Sequence, residues 1–349
     1  MTDLAILGWY SVIALCLVMY VVLDGYDLGL GILTLGDTDE RRRRENVDLV
    51  ATAWDGNESW IILLGVSLWA GLPGAYAVAL PALYLPVIVM LLAIIARGVA
   101  VEAAAHGTVV PRSWGLVFGL GSLVAAVTQG LIMGGLLSGV RVEDGEFAGG
   151  TWDFLTPFSL LTAAATVALY VTAAAAVLQV KDGYVARPRV ARAAATLTVA
   201  LVAACAVVFF AWEDTWPRPG GAQLVVATVL ALVGAAAMVL LMLRCWADRG
   251  PQPVVLLTIG EVAGMTGVLV YLHPVVVPPE LTLSEVAAPP SSIGFLLVGV
   301  GLNIPLVLFY NWYAHHVFRG KYVPRTASEL PEGVSPASEA VRPRGSEVR

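Results

Sequence analysis

Residues 4–35 read LAILGWYSVIALCLVMYVVLDGYDLGLGILTL, an apolar run long enough to cross a membrane that nevertheless contains Asp24 and Asp27. A second run, residues 52–71, opens with TAWDGNESW and so contains Asp55 and Glu58. An ionisable side chain at membrane depth costs on the order of 3 kcal/mol, so such residues are paired, hydrated or functional. These two stretches therefore indicate a membrane protein and mark where its function is to be sought.

The composition of the whole chain is that of an integral membrane protein. Of the 349 residues, 58% are hydrophobic and 13% are charged, and the mean hydropathy is +0.80. The formal net charge of −6 provides no basic surface, so we exclude a nucleic-acid partner. The three cysteines, Cys16, Cys205 and Cys245, lack the paired spacing of zinc or iron–sulfur sites. We interpret them as small buried apolar residues.

The apolar runs predict an all-α fold, a polytopic membrane helix bundle with nine transmembrane helices. Windows of about 20 apolar residues locate these helices. They lie near residues 4–35, 52–71, 76–101, 114–139, 157–179, 191–212, 222–245, 254–273 and 292–318.

The charges between the helices predict the topology. One alternating set of loops, which includes the run Arg41–Arg44, holds 18 of the 20 basic residues together with the C-terminal tail. The positive-inside rule then places the N-terminus outside and the C-terminus in the cytoplasm. Residues 1–322 are predicted to form the transmembrane domain, and residues 323–349, which are poor in large apolar residues, a disordered cytoplasmic tail. The proline-rich outer loop 274–291 is predicted to be an extended cover.

The acidic residues inside the helices are spaced in pairs. Asp24 and Asp27 are three residues apart, as are Asp55 and Glu58, so the members of each pair share a helix face. Two carboxylates at such a short distance in a low dielectric are not both ionised, so we expect at least one of each pair to hold a proton at neutral pH. Both pairs lie in the inner half of the membrane, near a cytoplasmic source of protons. The alternative is that they pair with Arg97, the basic residue nearest to them, and only fix the packing.

Other polar residues in the helices carry weaker signals. Glu261 has small neighbours such as Gly260 and Gly264, and it either extends a proton path or pairs structurally. Gln129 and Asn303 are predicted to form interhelical hydrogen bonds. Separately, the spacing of Gly25 and Gly29 predicts the close approach of another helix.

Histidine positions decide the prediction for metals and haem. Haem iron commonly takes histidine, methionine, cysteine or tyrosine ligands. All four histidines lie in loops or at helix ends: His106, His273, His315 and His316. The sequence therefore predicts that this chain binds no metal and no redox cofactor.

Several motifs together resemble subunit II of the cytochrome bd-type quinol oxidases. The most specific are LDGYDLGLG at residues 23–31 and WDGNESW at residues 54–60. The resemblance continues in ARGV at 96–99, TPFSLL at 156–161 and YNWY at 310–313, and it extends from the first helix to about Tyr322. The predicted number of helices and the outside N-terminus also match that family.

This resemblance implies a heterodimer in the bacterial cytoplasmic membrane that oxidises quinol and reduces dioxygen to water in aerobic respiration. Two b-type haems and one haem d are then expected in the partner, subunit I, and none in this chain. A small single-helix accessory subunit and a structurally bound quinone or lipid are compatible with the family.

The resemblance also assigns roles to the acidic residues. It implies that subunit II contributes a proton path from the cytoplasm, with Asp24 and Asp55 as the relay acids. Asp27 and Glu58 are predicted to be supporting acids, with Arg97 as an ion-pair partner. Glu261 matches no motif of the family, and its prediction as a supporting acid rests on its position inside an apolar helix alone. Two rival hypotheses place acids similarly: a proton-coupled secondary transporter, and a purely structural membrane partner whose acids only fix packing.

Overall fold

Each of the nine apolar segments predicted from the sequence contains an α-helix in the structure, a computed structural model that describes residues 2–105, 110–181, 187–211, 219–247 and 252–317. The helices are α1 (Thr2–Thr34), α2 (Glu40–Val50), α3 (Trp54–Gly71), α4 (Pro73–Ala105), α5 (Arg112–Leu137), α6 (Pro157–Lys181), α7 (Pro188–Ala211), α8 (Gly221–Ala247), α9 (Gln252–Leu272), α10 (Leu283–Val286) and α11 (Pro290–Val317). The predicted tail, residues 323–349, lies outside the described residues.

Eight of these helices are long and apolar enough to cross a membrane: α1, α4, α5, α6, α7, α8, α9 and α11. The predicted all-α membrane bundle is therefore confirmed. The remaining predicted span, α3, has 18 residues and starts with a polar turn that lowers its apolar content. The structure thus leaves the count of nine spans as a prediction.

The sequence predicts only an inner loop for the run Arg41–Arg44, and this prediction is incomplete. The structure shows the helix α2, on which Arg43 and Arg44 are 4% and 8% exposed. Arg43 Nε donates to the carbonyl of Val110 at 3.2 Å, and Arg44 Nη1 donates to the carbonyl of Ala104 at 2.7 Å. Arg44 therefore satisfies a carbonyl at the C-terminal end of α4, where a cation also complements the helix dipole.

Two short hairpins cover one end of the bundle. β1 (Val142–Glu143) pairs with β2 (Glu146–Phe147), and β3 (Val275–Val277) pairs with β4 (Leu281–Thr282), both antiparallel. The two covers meet where Val140 N donates to the carbonyl of Pro278 at 2.8 Å. The proline-rich loop is thus a folded cover and contains the short helix α10, rather than being only extended chain.

Small residues bring α1 and α6 into close contact. A Cβ atom on Gly25 would lie 2.7 Å from the ring of Tyr170, and one on Gly29 would overlap the carbonyl of Tyr170. The close approach predicted from the two glycines is therefore confirmed. It places Tyr170, which is 1% exposed, beside the acidic stretch of α1.

Candidate functional site

Three helices bring one buried arginine and three carboxylates together. Arg97 on α4 and Asp24 and Asp27 on α1 are each 0% exposed. The Nη1 atom of Arg97 lies 2.9 Å from Asp24 Oδ1, donates to Asp24 Oδ2 at 3.1 Å and donates to Glu58 Oε1 at 2.8 Å. Glu58 comes from α3, so this one guanidinium nitrogen links three helices. We call Asp24, Asp27, Glu58 and Arg97 the acid–arginine cluster.

Asp27 is attached to the cluster mainly through an amide. Its Oδ2 lies 3.9 Å from Arg97 Nη2, which is too long for a hydrogen bond. The same oxygen accepts a hydrogen bond of 2.8 Å from Asn57 Nδ2. Asn57 is 1% exposed and also donates to the carbonyl of Leu23 at 3.2 Å. Asn57 therefore holds the start of α3 against the acidic turn of α1.

The cluster is not internally satisfied. Arg97 Nε and Nη2, Asp27 Oδ1 and Asn57 Oδ1 are buried and have no hydrogen-bond partner among the described residues. Three carboxylates also face a single guanidinium, so the cluster carries excess negative charge unless it binds protons. Such an arrangement in a low dielectric favours proton uptake by the carboxylates over full ionisation.

Glycine packing holds α3 and α4 together beside the cluster. A Cβ on Gly98 would lie 3.0 Å from the ring of Trp54, so any larger residue at this position would require the ring to shift. At the opposite end of α3, Trp9 Nε1 donates to the carbonyl of Ser67 at 3.1 Å. Contacts at both ends of α3 thus fix its position along α1.

Asp55 lies apart from the buried carboxylates. It is exposed in the first turn of α3, one turn before Glu58. The Glu58 side chain is 14% exposed, whereas the side chains of Asp24 and Arg97 are 0% exposed. Asp55 is close enough to act electrostatically on Glu58. The acids of α3 and α1 therefore form a series from an exposed group to fully buried ones.

Glu261 on α9 lies outside the cluster. It is 4% exposed, and its Oε1 has no hydrogen-bond partner among the described residues. It interacts electrostatically with Tyr170 on α6. Neither of its two predicted roles is decided by these contacts.

Three uncharged side chains adjoin the cluster and were not predicted as part of the site. Gln129 Nε2 on α5 donates to the Tyr20 hydroxyl at 2.7 Å, and the Tyr170 hydroxyl donates to Gln129 Oε1 at 2.7 Å. The predicted interhelical hydrogen bonding of Gln129 is thus confirmed. Asn303, in contrast, donates to the carbonyl of Gly299 in its own helix. Only the position of Tyr20, one turn before Asp24, could have drawn attention to this group.

The donor groups do not assemble a metal site in the described part of the chain. No group of three or more His, Cys, Asp or Glu side chains there is arranged to hold a metal ion. His273 follows the end of α9, His106 lies outside the described residues, and the side chains of His315 and His316 are likewise not described. The three cysteines are free thiols.

Comparisons with known proteins agree on one family. The sequence model of the family described as "Cytochrome bd terminal oxidase subunit II" matches residues 5–318. The chain is 31% identical over 182 residues to the "Cytochrome bd-I ubiquinol oxidase subunit 2" of Escherichia coli K12, covering 50% of this chain and 48% of that protein. It is 29% identical over 158 residues to the "Cytochrome bd ubiquinol oxidase subunit 2" of Bacillus subtilis 168, covering 44% of this chain and 46% of that protein. The matched region thus spans about half the length of these curated relatives.

A solved structure shares the fold. The structure of bd oxidase from Geobacillus thermodenitrificans aligns with a TM-score of 0.72 and 15% identity, covering 90% of this chain and 98% of the chain compared. At this identity the likeness bears on the fold alone, and it extends over nearly all of the helical bundle.

Proposed function

Because the chain belongs to the cytochrome bd terminal oxidase subunit II family, we propose that it is the second subunit of a membrane quinol oxidase and supplies protons for the reduction of dioxygen to water. The observation that carries the proposal is the acid–arginine cluster, in which Arg97 Nη1 lies 2.8 Å from Glu58 and 2.9 Å from Asp24. Reduction of dioxygen to water consumes protons, and buried carboxylates in excess over their cation are groups that take up and release protons.

The order of exposure suggests the direction of the path. Asp55, exposed at the start of α3, is the first acceptor of a proton from the cytoplasmic side. Glu58 follows one turn later with a side chain that is 14% exposed, and Asp24 and Asp27 follow with side chains that are 0% exposed. Glu58, a supporting acid in the sequence prediction, thus becomes the bridge between the two relay acids Asp55 and Asp24.

Arg97 lowers the electrostatic cost of moving a proton between Glu58 and Asp24. Its Nη1 contacts both Glu58 and Asp24, so a proton that moves between the two carboxylates leaves the cation paired with the ionised one. The transfer therefore needs no large movement of charge away from its counter-ion. This arrangement lowers the electrostatic cost of a proton shift inside the bundle.

The haems of the oxidase belong, in this proposal, to subunit I. The sequence supports that assignment, because it predicts all four histidines to lie in loops or at helix ends rather than deep in a span. In the assembled oxidase, b-type haems and haem d carry out electron transfer and dioxygen reduction. The residues of this chain hold and move protons.

We further propose that α3 is the ninth transmembrane helix. At about 1.5 Å per residue, 18 residues extend about 27 Å, close to the thickness of the hydrocarbon core. Its contacts with Asp27 at one end and with Trp9 at the other follow α1 over most of its length. Nine spans would place the two termini on opposite sides of the membrane, and the positive-inside rule would then put the C-terminus, on the side of the basic loops, in the cytoplasm of a bacterial cell.

Subunit I is proposed to pack on the face formed by α3 and α11. Only 6% of the apolar window of α11 is buried, the smallest fraction among the eight apolar helices. This face includes a polar group that is exposed in the isolated chain, Asn303 on α11. Polar groups at membrane depth favour a protein partner over lipid. A small accessory subunit and a bound quinone or lipid remain compatible with the rest of the surface.

The test is an oxidase purified through a tag on this chain, with the substitution Asp55→Asn and, separately, Asp24→Asn. We expect bands of b- and d-type haem in the wild-type complex, and variants that keep these haems but have lower quinol oxidase turnover. Glu143→Gln in the outer hairpin is the matched control and should keep full turnover.

Three outcomes would contradict the proposal. Full turnover in both variants would exclude the relay. Loss of the haems in proportion to turnover would make the acids structural. A wild-type chain that purifies without a haem-bearing partner and moves protons with a transported substrate would indicate a secondary transporter.

A further inference from the structure

The uncharged side chains Tyr20, Gln129 and Tyr170 form a continuous hydrogen-bonded series, which we call the tyrosine–glutamine chain. It starts one turn from Asp24 on α1, crosses to α5 and ends on α6, with donor–acceptor distances of 2.7 Å in both links. Tyr20 and Tyr170 are 2% and 1% exposed. Two linked hydroxyls and an amide at this depth are held by each other, because no water-exposed alternative is within reach.

The hydrogen bonds of the series determine the direction in which the Tyr20 hydroxyl can donate. The Tyr20 hydroxyl has a single proton, and its oxygen already accepts the N–H of Gln129. The hydroxyl proton is therefore free to point to another acceptor. Asp24 lies one turn further along α1, and its Oδ1 is buried and has no hydrogen-bond partner among the described residues, so it is the acceptor that the geometry offers. Tyr170 donates to the opposite atom of the same amide, Gln129 Oε1, and so keeps the Nε2 atom of Gln129 turned to Tyr20.

The tyrosine–glutamine chain can orient the Asp24 side chain, but it cannot conduct protons. A carboxamide does not exchange protons readily, so Gln129 interrupts any relay between the two tyrosines. With its hydroxyl turned to Asp24 Oδ1, Tyr20 would add a second donor to Arg97 Nη1, which donates to Asp24 Oδ2 at 3.1 Å. With two donors on different sides, the carboxylate keeps its orientation when its protonation changes.

We propose that Gln129 and Tyr170 are positioning residues that hold the Tyr20 hydroxyl on Asp24, a proposal that rests on the proton path proposed above. Their effect on turnover passes through Tyr20. Losing one hydrogen bond of ordinary strength, about 1 kcal/mol, corresponds to about a fivefold effect. We therefore expect Gln129→Leu and Tyr20→Phe each to lower turnover about fivefold at unchanged haem content.

The decisive measurement is a double-mutant cycle on the purified oxidase complex. Because Gln129 acts through the Tyr20 hydroxyl, Gln129→Leu should cause no further loss of turnover in the Tyr20→Phe background. Losses that multiply in the double variant would overturn the proposal, since they would show independent structural effects. Thr128→Val is the matched control: it removes a hydroxyl beside Gln129 that bonds only carbonyls of its own helix, and it should keep full turnover.

A spectroscopic readout separates positioning from loss of structure. The infrared difference band that disappears in Asp24→Asn identifies the carboxyl group of Asp24. We expect this band to shift in Gln129→Leu and in Tyr170→Phe, because the hydrogen bond from Tyr20 is weakened. Tyr170→Phe keeps the ring that packs on Gly25 and removes one hydroxyl, so it tests the same chain if Gln129→Leu does not assemble. An unshifted band in an assembled variant would overturn the proposal.

The two proposals fail in distinguishable ways. Full turnover in both Asp24→Asn and Asp55→Asn would refute the proton path itself. Reduced turnover in Asp24→Asn together with wild-type turnover and an unshifted band in Gln129→Leu and Tyr170→Phe would refute only the positioning role.

Discussion

Arg97→Gln removes the cation that holds the acid–arginine cluster together, and we expect it to destabilise the subunit severely. The Arg97 side chain is 0% exposed and its Nη1 lies within 2.9 Å of carboxylate oxygens from two other helices. Removing one partner of a buried ion pair costs about 3–5 kcal/mol, because the other charge is left buried without compensation.

A second route to the magnitude gives a similar figure. Without Arg97, the nearest carboxylate is accommodated by taking up a proton. At pH 7 this costs about 1.4 kcal/mol for each unit between the pH and the ordinary aspartate pKa of about 3.9, or about 4 kcal/mol for one group. The cost falls as the pH falls, so the variant should become more stable towards acid pH.

The assay is the thermal stability of the purified complex at pH 5.5 and 7.5, with the retention of the haem absorption bands as the readout. We expect Arg97→Gln to lose most of its stability at the higher pH and to recover part of it at the lower. Combining it with Asp24→Asn removes a carboxylate that had lost its partner and should restore stability at pH 7.5. Arg112→Gln, a substitution at an exposed residue at the start of α5, is the charge-matched control. A double variant no more stable than Arg97→Gln would refute the reasoning.

Two further predictions concern packing and the outer cover. Gly29→Ala places a Cβ against the carbonyl of Tyr170, so α1 and α6 must separate, and we expect a loss of about 1–3 kcal/mol measured as a lower melting temperature of the complex. The Thr282 backbone N–H and hydroxyl both donate to Glu285, which lowers the pKa of Glu285 below its ordinary value. This stabilising contribution is complete above the ordinary glutamate pKa and is lost as the pH falls through the lowered one. The protection of the α10 amides, measured as the exchange rate relative to the intrinsic rate at the same pH, should therefore decrease in acid, and Glu285→Gln should remove that pH dependence of the protection.

The helices that cross the bundle could be located from the sequence because burial in lipid leaves a strong local signal. The eight helices that are long and apolar enough to cross a membrane begin and end within a few residues of the predicted bounds. α2 was missed for the opposite reason: its sequence, ERRRRENVDLV, is mostly polar, and its three apolar residues, Val47, Leu49 and Val50, are too few to indicate a span. The burial of Arg43 and Arg44 depends on carbonyls of Val110 and Ala104 that lie about 60 or more residues further along the chain. A window along the sequence does not report such contacts.

The same distinction separates the predicted and the missed parts of the site. Asp24, Asp27 and Glu58 were identified because charge inside an apolar run is unusual, and Arg97 because it is the cation nearest to them. The grouping of these residues into one cluster required the fold. Gln129 was assigned only a hydrogen bond with an unnamed partner, because its link to Tyr20 joins residues 109 positions apart. The function of an uncharged polar residue depends on its hydrogen-bond partner, and only the fold shows which residue that partner is.

The number of acids in the cluster bears on whether it serves packing alone. One carboxylate is sufficient to neutralise Arg97, and Asp24 at 2.9 Å already does so. Glu58 at 2.8 Å and Asp27 at 3.9 Å add charge that the guanidinium does not compensate. Each added carboxylate costs either a proton or an uncompensated charge in a low dielectric, and a buried ion pair contributes little net stability to begin with. A packing device gains nothing from the two additional acids, whereas a proton path requires successive acceptors of this kind, so the excess of carboxylates favours the path.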